Sequence, residues 1–266
     1  MPTPRLHEEK GQATANVRTD RLRFAGGTES TAVWVHEPDD VGRAVALLGL
    51  DGPRPALVVV GGAADLELHG GGSSLKELFR TGVAAAVEAA GAVAIDGGTN
   101  TGVMQALGQA RAQPGRSFPL VGVVPAGLVS VPGTDADGGV RLEPNHTHFL
   151  IVPGERWGDE SPWLDLLAAA VAGGRPTLTV LVNGGDVSWE DVAASVSGGR
   201  RVLVVDGTGR TADLLAEAVR TGSDPGRAGL LAETGMIDVF EAGRGGDALA
   251  AAILAALSER EEDGHG

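Results

Sequence analysis

The sequence predicts an α/β fold, a Rossmann-like three-layer sandwich with a mostly parallel sheet and helices on both faces. Three observations support this prediction. Short runs of valine, isoleucine and leucine recur along the chain and are mostly continuous, as in strands that are buried on both faces. Most of the runs end in glycine. Helical patterns follow most of them, and alternation of strand and helix is typical of a doubly wound sheet.

The predicted strands share an apolar run bounded by turn-forming residues. In chain order they are Ser30–Glu37, Pro55–Ala63, Gly91–Gly98, Pro119–Pro125, His146–Gly154, Thr177–Gly185, Arg200–Arg210 and Met236–Ala242. The predicted helices are Ser73–Gly91, Thr99–Arg111, Ser161–Gly174, Asp186–Gly199, Thr211–Gly222 and Ala248–Leu257. Ser74 and Glu77 have the spacing of a capping box, and Ser161 is the expected N-cap before Pro162.

We expect one domain over residues 21–259, after a disordered polar lead at 1–20 and before a frayed tail at 260–266. The start lacks the apolar core of a signal peptide, and Ala248–Leu257 is too short to span a bilayer, so a cytoplasmic chain without direct membrane insertion is expected. The patternless stretch Ala126–Asn145 suggests a functional loop or lid.

Composition excludes several classes of function. The chain has no cysteine, which rules out disulfides, thiolate metal sites and a cysteine nucleophile. Its net charge of −14 argues against binding to nucleic acid or to anionic lipid, since both depend on Lys and Arg that neutralise phosphates. Only Lys10 and Lys76 are lysines, so an anion site would rely on arginine and on backbone amides.

Four predicted strands end in glycine corners. The glycines are Gly61, Gly62, Gly97, Gly98, Gly184, Gly185, Gly207 and Gly209. Glycine allows a backbone to approach a ligand closely, and the free N–H groups of the following helix attract anions. Each corner alone is weak evidence, since strand-to-helix turns often contain glycine. Because the carboxyl ends of parallel strands share one edge of the sheet, the four together predict a ligand site there.

Polar residues at these corners complete the predicted site. Thr99, Asn100, Thr101 and Gly102 follow the Gly97 corner, and Asn183, Ser188, Asp206 and Thr208 lie at the corners further along. Asp96 and Asp206 could orient ribose hydroxyls or cap the following turns. Arg210 could clamp a phosphate or form a surface ion pair with Asp213. The absence of a lysine after the glycines argues against a P-loop, and the "DGTGRTA" stretch lacks the acidic residue of a classical dinucleotide site.

Two further features have competing interpretations. His146 and His148 lie on one face of a predicted strand, as two metal ligands would, but no third ligand is positioned near them and a hydrogen-bonded structural pair is favoured. We therefore expect no metal. Trp157 lies in a polar, glycine-flanked loop, where it could pack into the core or stack on a purine.

Several stretches together resemble a known family. "VVVGGA", "IDGGTNTGVM", "LEPNHTHFLIV", "WGDESPWL", "VLVNGGDVS" and "VVDGTGRTADLL" are similar to the cytosolic N-terminal homology region of melastatin-type TRP channels, and more closely to its free-standing prokaryotic relatives in the SLOG superfamily. The resemblance covers about Ala56–Val219. It implies a Rossmann-like fold and a nucleotide-derived ligand.

The resemblance also implies residue roles. Trp157 takes the position of an adenine-stacking tyrosine of the channels, and Arg210 that of a phosphate-binding arginine. A second binding arginine is replaced by Leu164, which argues for a ligand with fewer phosphates than ADP-ribose or a different polar tail. The expected partner is therefore an ADP-ribose-like or related small molecule, bound without a further cofactor. A homo-oligomer or a separate effector protein would pass on the signal.

Two alternatives stay open. The enzymes of the superfamily use a "PGGxGTxxE" motif with a catalytic glutamate, and "NGGDVSWED" places Asp191 at that position. A nucleotide hydrolase of the phosphoribohydrolase type is therefore the first alternative, although Ser188 and Asp191 also have the spacing of a helix-capping pair. A ligand-free interaction scaffold is the second.

Overall fold

A computed structural model describes residues 17–50, 52–62, 75–133, 138–222 and 224–258. The strands are β1 Arg18–Arg23, β2 Glu29–Trp34, β3 Ala56–Gly61, β4 Val93–Asp96, β5 Leu120–Pro125, β6 Val129–Ser130, β7 Val140–Arg141, β8 His148–Val152, β9 Thr177–Val182, β10 Val202–Asp206 and β11 Ile237–Glu241. The helices are α1 Val41–Leu47, α2 Leu75–Glu77, α3 Ala84–Ala90, α4 Gly102–Arg111, α5 Ser161–Ala172, α6 Asp186–Ser197, α7 Arg210–Thr221, α8 Arg227–Ala232 and α9 Gly246–Ser258. A π-helical segment, Leu78–Val83, joins α2 to α3, and 3-10 turns cover Pro38–Asp40 and Ala242–Arg244.

The predicted α/β fold with a mostly parallel sheet is confirmed. In the described part of the chain, one sheet has the strand order β1-β2-β8-β5-β4-β3-β9-β10-β11. All neighbours in it run parallel except β1 and β2, which pair antiparallel. After β3 the chain proceeds to β4, β5 and β8 on one side, and then returns to β9 on the other side of β3. The strand order therefore reverses between β3 and β9.

In the described residues, two large apolar cores, one on each face of the sheet, give the three layers, and a smaller third cluster surrounds Phe149. Successive residues of a strand point to opposite faces, so Val58 and Val60 of β3 enter one core while Leu57 and Val59 enter the other. Helices α1, α5, α6, α7 and α8 contribute to the first core, and α3, α4 and α9 contribute to the second. Burial on both faces explains why the strands read as continuous apolar runs.

The edge strand β1 corrects the expected disordered lead. Residues 18–20, which the sequence assigned to that lead, belong to β1 and pair with β2. The strand is polar because most of its residues are exposed to solvent. Its polar side chains contact Trp34 of β2: the Arg18 guanidinium lies over the indole ring, and the indole N–H donates to Asp20 over 2.8 Å. Residues 1–16 and 259–266 lie outside the described residues, as does Ser74 of the predicted capping box.

Two other details differ from the sequence prediction. Helix α5 begins at Ser161, and Glu160 takes the N-cap position that was expected for Ser161. The hydroxyl of Ser161 instead donates to the Asp191 carboxylate over 2.5 Å. The loop Ala126–Asn145, predicted without a pattern, contains the short parallel pair β6 and β7.

Candidate functional site

A cleft of about 370 Å³ opens at the carboxyl ends of the central strands. It lies where the strand order reverses between β3 and β9, the position at which open α/β sheets bind ligands. Its walls come from the ends of β3, β4, β9 and β10, from β7, and from the loop before α5. Its volume is within the usual range for a small-molecule site.

The structure divides the predicted site residues into two groups. Those that line the cleft are Gly61, Gly62, Gly97, Thr99, Thr101, Trp157, Gly185, Ser188 and Arg210, together with Leu164 and Asp191. Those that are not among its lining residues are Gly98, Asn100, Gly102, Asn183, Gly184, Asp206, Gly207, Thr208 and Gly209.

The glycines serve different purposes. A Cβ at Gly61 would lie 2.1 Å from the carbonyl oxygen of Val182, and one at Gly98 would lie 2.8 Å from Gly122 Cα, so both glycines are needed for close strand packing. At Gly97 the nearest atoms would be 3.8 Å away, in the flexible side chain of Met104. Gly97 therefore leaves room facing the cleft, whereas Gly61 and Gly98 are explained by packing alone.

The corner at Gly207 and Gly209 is already filled by a side chain. Both backbone amides donate to Asp213 Oδ1, over 2.8 and 2.9 Å. Asp213 therefore accepts hydrogen bonds from these backbone amides and does not form the expected ion pair with Arg210. Because both amides have this partner, they are not free to bind a phosphate. Asp206, a predicted ribose ligand, forms an ion pair with Arg220.

Asn183 and Thr208 hold the β9 and β10 corners together. Thr208 Oγ1 accepts the Asn183 backbone N–H over 2.7 Å, and the Asn183 side-chain amide donates to the Thr208 carbonyl over 2.9 Å. Asn183 has a φ of 60°, in the left-handed region that asparagine tolerates better than most residues. Their contacts are structural, and they position the walls of the cleft.

Among the described residues that line the cleft, Arg210 is the one with a positively charged side chain. It begins α7 with a φ of 53°, which is unusual for a residue other than glycine. Strained backbone of this kind clusters at functional sites. The guanidinium lies near Gly185, whose added Cβ would be 3.5 Å from Arg210 Nη2. The backbone therefore carries a conformational cost while the side chain faces the cleft.

Trp157 is the most exposed of the four tryptophans. It is 42% exposed, whereas Trp163 and Trp189 are buried and Trp34 is partly buried. Core packing therefore does not account for Trp157. Asp159 stabilises its loop, because the carboxylate accepts hydrogen bonds from the backbone N–H groups of Glu155 and Arg156 over 2.9 and 3.1 Å.

Two buried carboxyl groups line the same cleft. Burial raises the pKa of Asp191 to about 7; the Ser161 hydroxyl opposes this shift, and the nearby carboxylates of Glu160 and Glu190 add to it. Burial likewise raises the pKa of Glu160, although the Gly158 amide opposes that shift. A carboxyl group that keeps its proton near neutral pH can donate a hydrogen bond or act as a general acid.

Asp191 is not part of a helix cap. Ser188 Oγ instead accepts the Gly185 N–H over 3.1 Å at the start of α6. The predicted capping pair of Ser188 and Asp191 is therefore wrong, since Asp191 faces Ser161 and the cleft. This leaves the carboxyl group of Asp191 available to a ligand.

Sequence reasoning missed several lining residues. They are Val59, Val60, Met104, Val140, Glu160, Asp186 and Val187. Glu160 directly precedes the predicted helix at Ser161, where an acidic residue is typical of an exposed helix cap. The local sequence therefore did not predict that Glu160 is buried in the cleft wall. Val140 belongs to the patternless loop and shows that this loop contributes a wall of the cleft.

A buried charged network lies behind the cleft. His146 Nε2 donates to Asp96 Oδ1 over 2.7 Å, and Nδ1 donates to Glu143 Oε2 over 2.9 Å. Burial opposes a charged ring, but the two carboxylates outweigh it and raise the pKa of His146 to about 9. Asp96 Oδ1 also accepts the Gly98 N–H over 2.7 Å. Asp96 is thus committed to this network rather than to ribose.

The two histidines do not form a pair with each other. Burial, with the nearby Arg111 guanidinium, lowers the pKa of His148 to about 4. His148 Nδ1 contacts Thr147 Oγ1 at 2.7 Å. Both histidines are hydrogen-bonded within the protein, as favoured, but each has its own partners. Within the ranges that the structure describes, no group of three potential ligands is arranged to hold a metal ion.

None of the helices in the described ranges combines the length and apolar character needed to cross a membrane.

Comparison with known proteins agrees with the motifs. Residues 54–251 match the family described as "SLOG in TRPM, prokaryote". The transient receptor potential cation channel subfamily M member 2 of Mus musculus is 26% identical over 210 residues, which cover 64% of this chain and 14% of the channel. A subfamily M member-like 2 channel of Nematostella vectensis is 27% identical over 208 residues, with 64% and 13% covered.

A third relative, a transient receptor potential channel of Caenorhabditis elegans, is 28% identical over 206 residues, which cover 65% of this chain and 10% of the channel. The chain thus spans only a small part of the length of each of these channels. The matched residues include every strand and helix from β3 to α8. The resemblance seen in the motifs is confirmed: the chain belongs to the prokaryotic family of the SLOG domain found in TRPM channels.

Proposed function

We propose that the chain binds a nucleotide-derived small molecule in the cleft and acts as a ligand sensor or binding domain. The observation that carries this proposal is the presence of the Trp157 ring and the Arg210 guanidinium in one cavity at the strand-order reversal. An exposed aromatic ring can stack on a purine, and a guanidinium can hold a phosphate through two parallel hydrogen bonds.

The charges of the cleft limit the ligand. Besides Arg210, three acidic residues, Glu160, Asp186 and Asp191, line the cleft. Leu164, which replaces a second arginine of the channels, is buried at 4% exposure and adds only apolar surface. The described lining offers one arginine to neutralise phosphate charge, and the Asp186 carboxylate adds a negative charge that disfavours further phosphates. A nucleotide with a single phosphate therefore fits better than ADP-ribose itself.

Calorimetric titration with AMP, cyclic nucleotides, NAD and ADP-ribose tests this proposal. We expect saturable binding of at least one of them. The Arg210→Ala variant should weaken phosphate-bearing ligands by about tenfold or more, since a hydrogen bond to a charged group contributes about 1.5–3 kcal/mol. The exposed Arg43, which is not among the described residues that line the cleft, provides a matched control as Arg43→Ala. No binding of any of these ligands by folded protein would contradict the proposal.

Trp157→Ala separates base recognition from phosphate recognition. We expect this variant to weaken purine nucleotides about tenfold or more, because stacking of a base on an aromatic ring contributes about 1–3 kcal/mol. Inorganic phosphate does not stack, so its binding should be unchanged. Equal effects on both ligands would place the base elsewhere.

A hydrolase is the second candidate, because a buried carboxyl group with a raised pKa lines the cleft. Asp191 could protonate the leaving base while water attacks the ribose carbon of the N-glycosidic bond. Incubation with AMP, followed by chromatography, would detect free adenine and ribose phosphate. Turnover that is abolished in Asp191→Asn, with AMP affinity retained, would favour the hydrolase over the sensor.

A further inference from the structure

A second cavity, of about 580 Å³, lies beside the cleft. It is open to solvent and is lined by the turn between β1 and β2 and by the segments that flank β6 and β7. Its lining combines arginine and amide side chains with an aromatic ring. The residues that define its character are Arg23, Phe24, Asn100, Arg141, Leu142 and Asn145.

The described lining of this cavity is basic. Among the described residues that line it there is no aspartate or glutamate, although the chain carries a net charge of −14. Arg23 is neutralised by Glu29, with Nε 2.9 Å from Oε1. In the part of the chain that the structure describes, the Arg141 guanidinium has neither an ion pair nor a hydrogen bond. Arg141 therefore presents an uncompensated cation to the cavity.

Asn100 adds a second donor. Its Oδ1 accepts the Gln105 side-chain amide over 3.1 Å, which fixes the side chain and assigns Nδ2 as the group with free N–H donors. A planar guanidinium beside an amide donor suits the oxygen atoms of a phosphate or a carboxylate. Asn100 was a predicted ligand residue at the glycine corner, yet it faces this cavity and not the cleft.

A thin wall separates the two cavities. The Asn100 N–H donates to the Arg141 carbonyl over 2.8 Å, and Thr99 forms an isolated bridge with Leu142. Thr99 and Thr101 face the cleft, whereas Asn100 between them faces the second cavity. Asn100 lies in a tight turn, in which the Thr101 N–H donates to the Thr99 carbonyl over 2.8 Å, and its side chain enters the cavity opposite to that of its two neighbours. Each side of the wall thus serves its own cavity.

We propose that the second cavity is a binding site for a small oxyanion, a phosphate or a carboxylate group, held by the Arg141 guanidinium and the Asn100 amide. Phe24 gives the same site an aromatic surface for the organic part of a ligand. The site does not depend on the cleft being occupied.

The test is a titration of isotope-labelled protein with sodium phosphate and, separately, with sodium succinate at constant ionic strength, followed by amide chemical shifts. We expect saturable shifts at Asn100 and Arg141, and the anion with the lower Kd identifies the preferred oxyanion. Arg141→Gln should raise that Kd about tenfold or more, as expected for loss of a charge-assisted contact. Arg43→Gln, a change at an exposed arginine of α1, should leave it unchanged.

Arg210→Ala distinguishes the two cavities, because it removes the cation of the cleft alone. The shifts at Asn100 and Arg141 should persist in that variant. The proposal is overturned if neither anion gives saturable shifts, if Arg141→Gln binds like the wild type, or if Arg210→Ala abolishes the shifts. Arg141 is exposed, and the same spectra report whether each variant is folded. A failure of nucleotide binding in the cleft would leave these outcomes unaffected.

Discussion

The Asp191 carboxyl group should make the stability of the protein depend on pH. Its ordinary pKa is 3.8, and burial raises it to about 7 in the folded state. The folded protein therefore binds a proton that the unfolded chain releases, and this favours folding only at low pH. The free energy of unfolding should fall as the pH rises from 3.8 towards 7 and level off above 7.

Asp191→Asn removes this titration while keeping an oxygen that accepts the Ser161 hydroxyl. Each pH unit between the two pKa values changes stability by about 1.4 kcal/mol. Between about pH 5 and pH 7, two units give an expected relative loss of about 3 kcal/mol in the wild type. Asp191→Asn should therefore gain about 3 kcal/mol on the wild type between about pH 5 and pH 8.

Urea unfolding of both proteins at about pH 5 and at about pH 8 measures the difference. Glu233→Gln, at an exposed carboxylate near the end of α8, is the matched control and should show no such gain. If the stability difference between Asp191→Asn and the wild type were the same at both pH values, the buried, protonated Asp191 would be refuted.

Three other predictions follow from the packing. His146→Asn should destabilise the fold by about 3–5 kcal/mol, since it leaves Asp96 and Glu143 buried without their cation. The pKa of His146 is raised from 6.5 to about 9 in the folded protein, so its contribution to the free energy of unfolding is complete below pH 6.5 and is lost as the pH rises through about 9. Urea unfolding of the wild type across that pH range measures this loss. Arg210→Gly should lose phosphate affinity like Arg210→Ala, but it should be the more stable of the two by about 1 kcal/mol, because glycine adopts a φ of 53° without strain; thermal unfolding compares them, and equal stability would contradict the strain. Gly61→Ala should cost more than about 2 kcal/mol in urea unfolding, since its Cβ would lie 2.1 Å from the Val182 carbonyl oxygen, and wild-type stability would contradict the close approach.

The central strands were predictable because they are buried on both faces. β3, β5 and β9 are mostly apolar and are buried along nearly their whole length, so the sequence pattern predicts them. β1 was missed because its polar sequence, RTDRLR, covers an edge that faces water. β6 and β7 were missed because strands of two residues each are too short to show a pattern.

The candidate site was predictable only in part. Parallel strands share an edge, so the glycine corners were expected to meet, and Gly97 and Gly185 do so in the cleft. Local sequence could not show that Asp213 fills the corner at Gly209, or that Asp96 is bonded to His146, which lies 50 positions away in the chain. These contacts depend on tertiary packing between elements that are distant in sequence.

The most direct test of nucleotide binding is the difference electron density of crystals soaked with AMP. The account predicts the purine ring on Trp157, the phosphate on Arg210, and the ribose beside Gly97 and Thr99. Density for AMP anywhere else, or an empty and accessible cleft in soaked crystals, would contradict it.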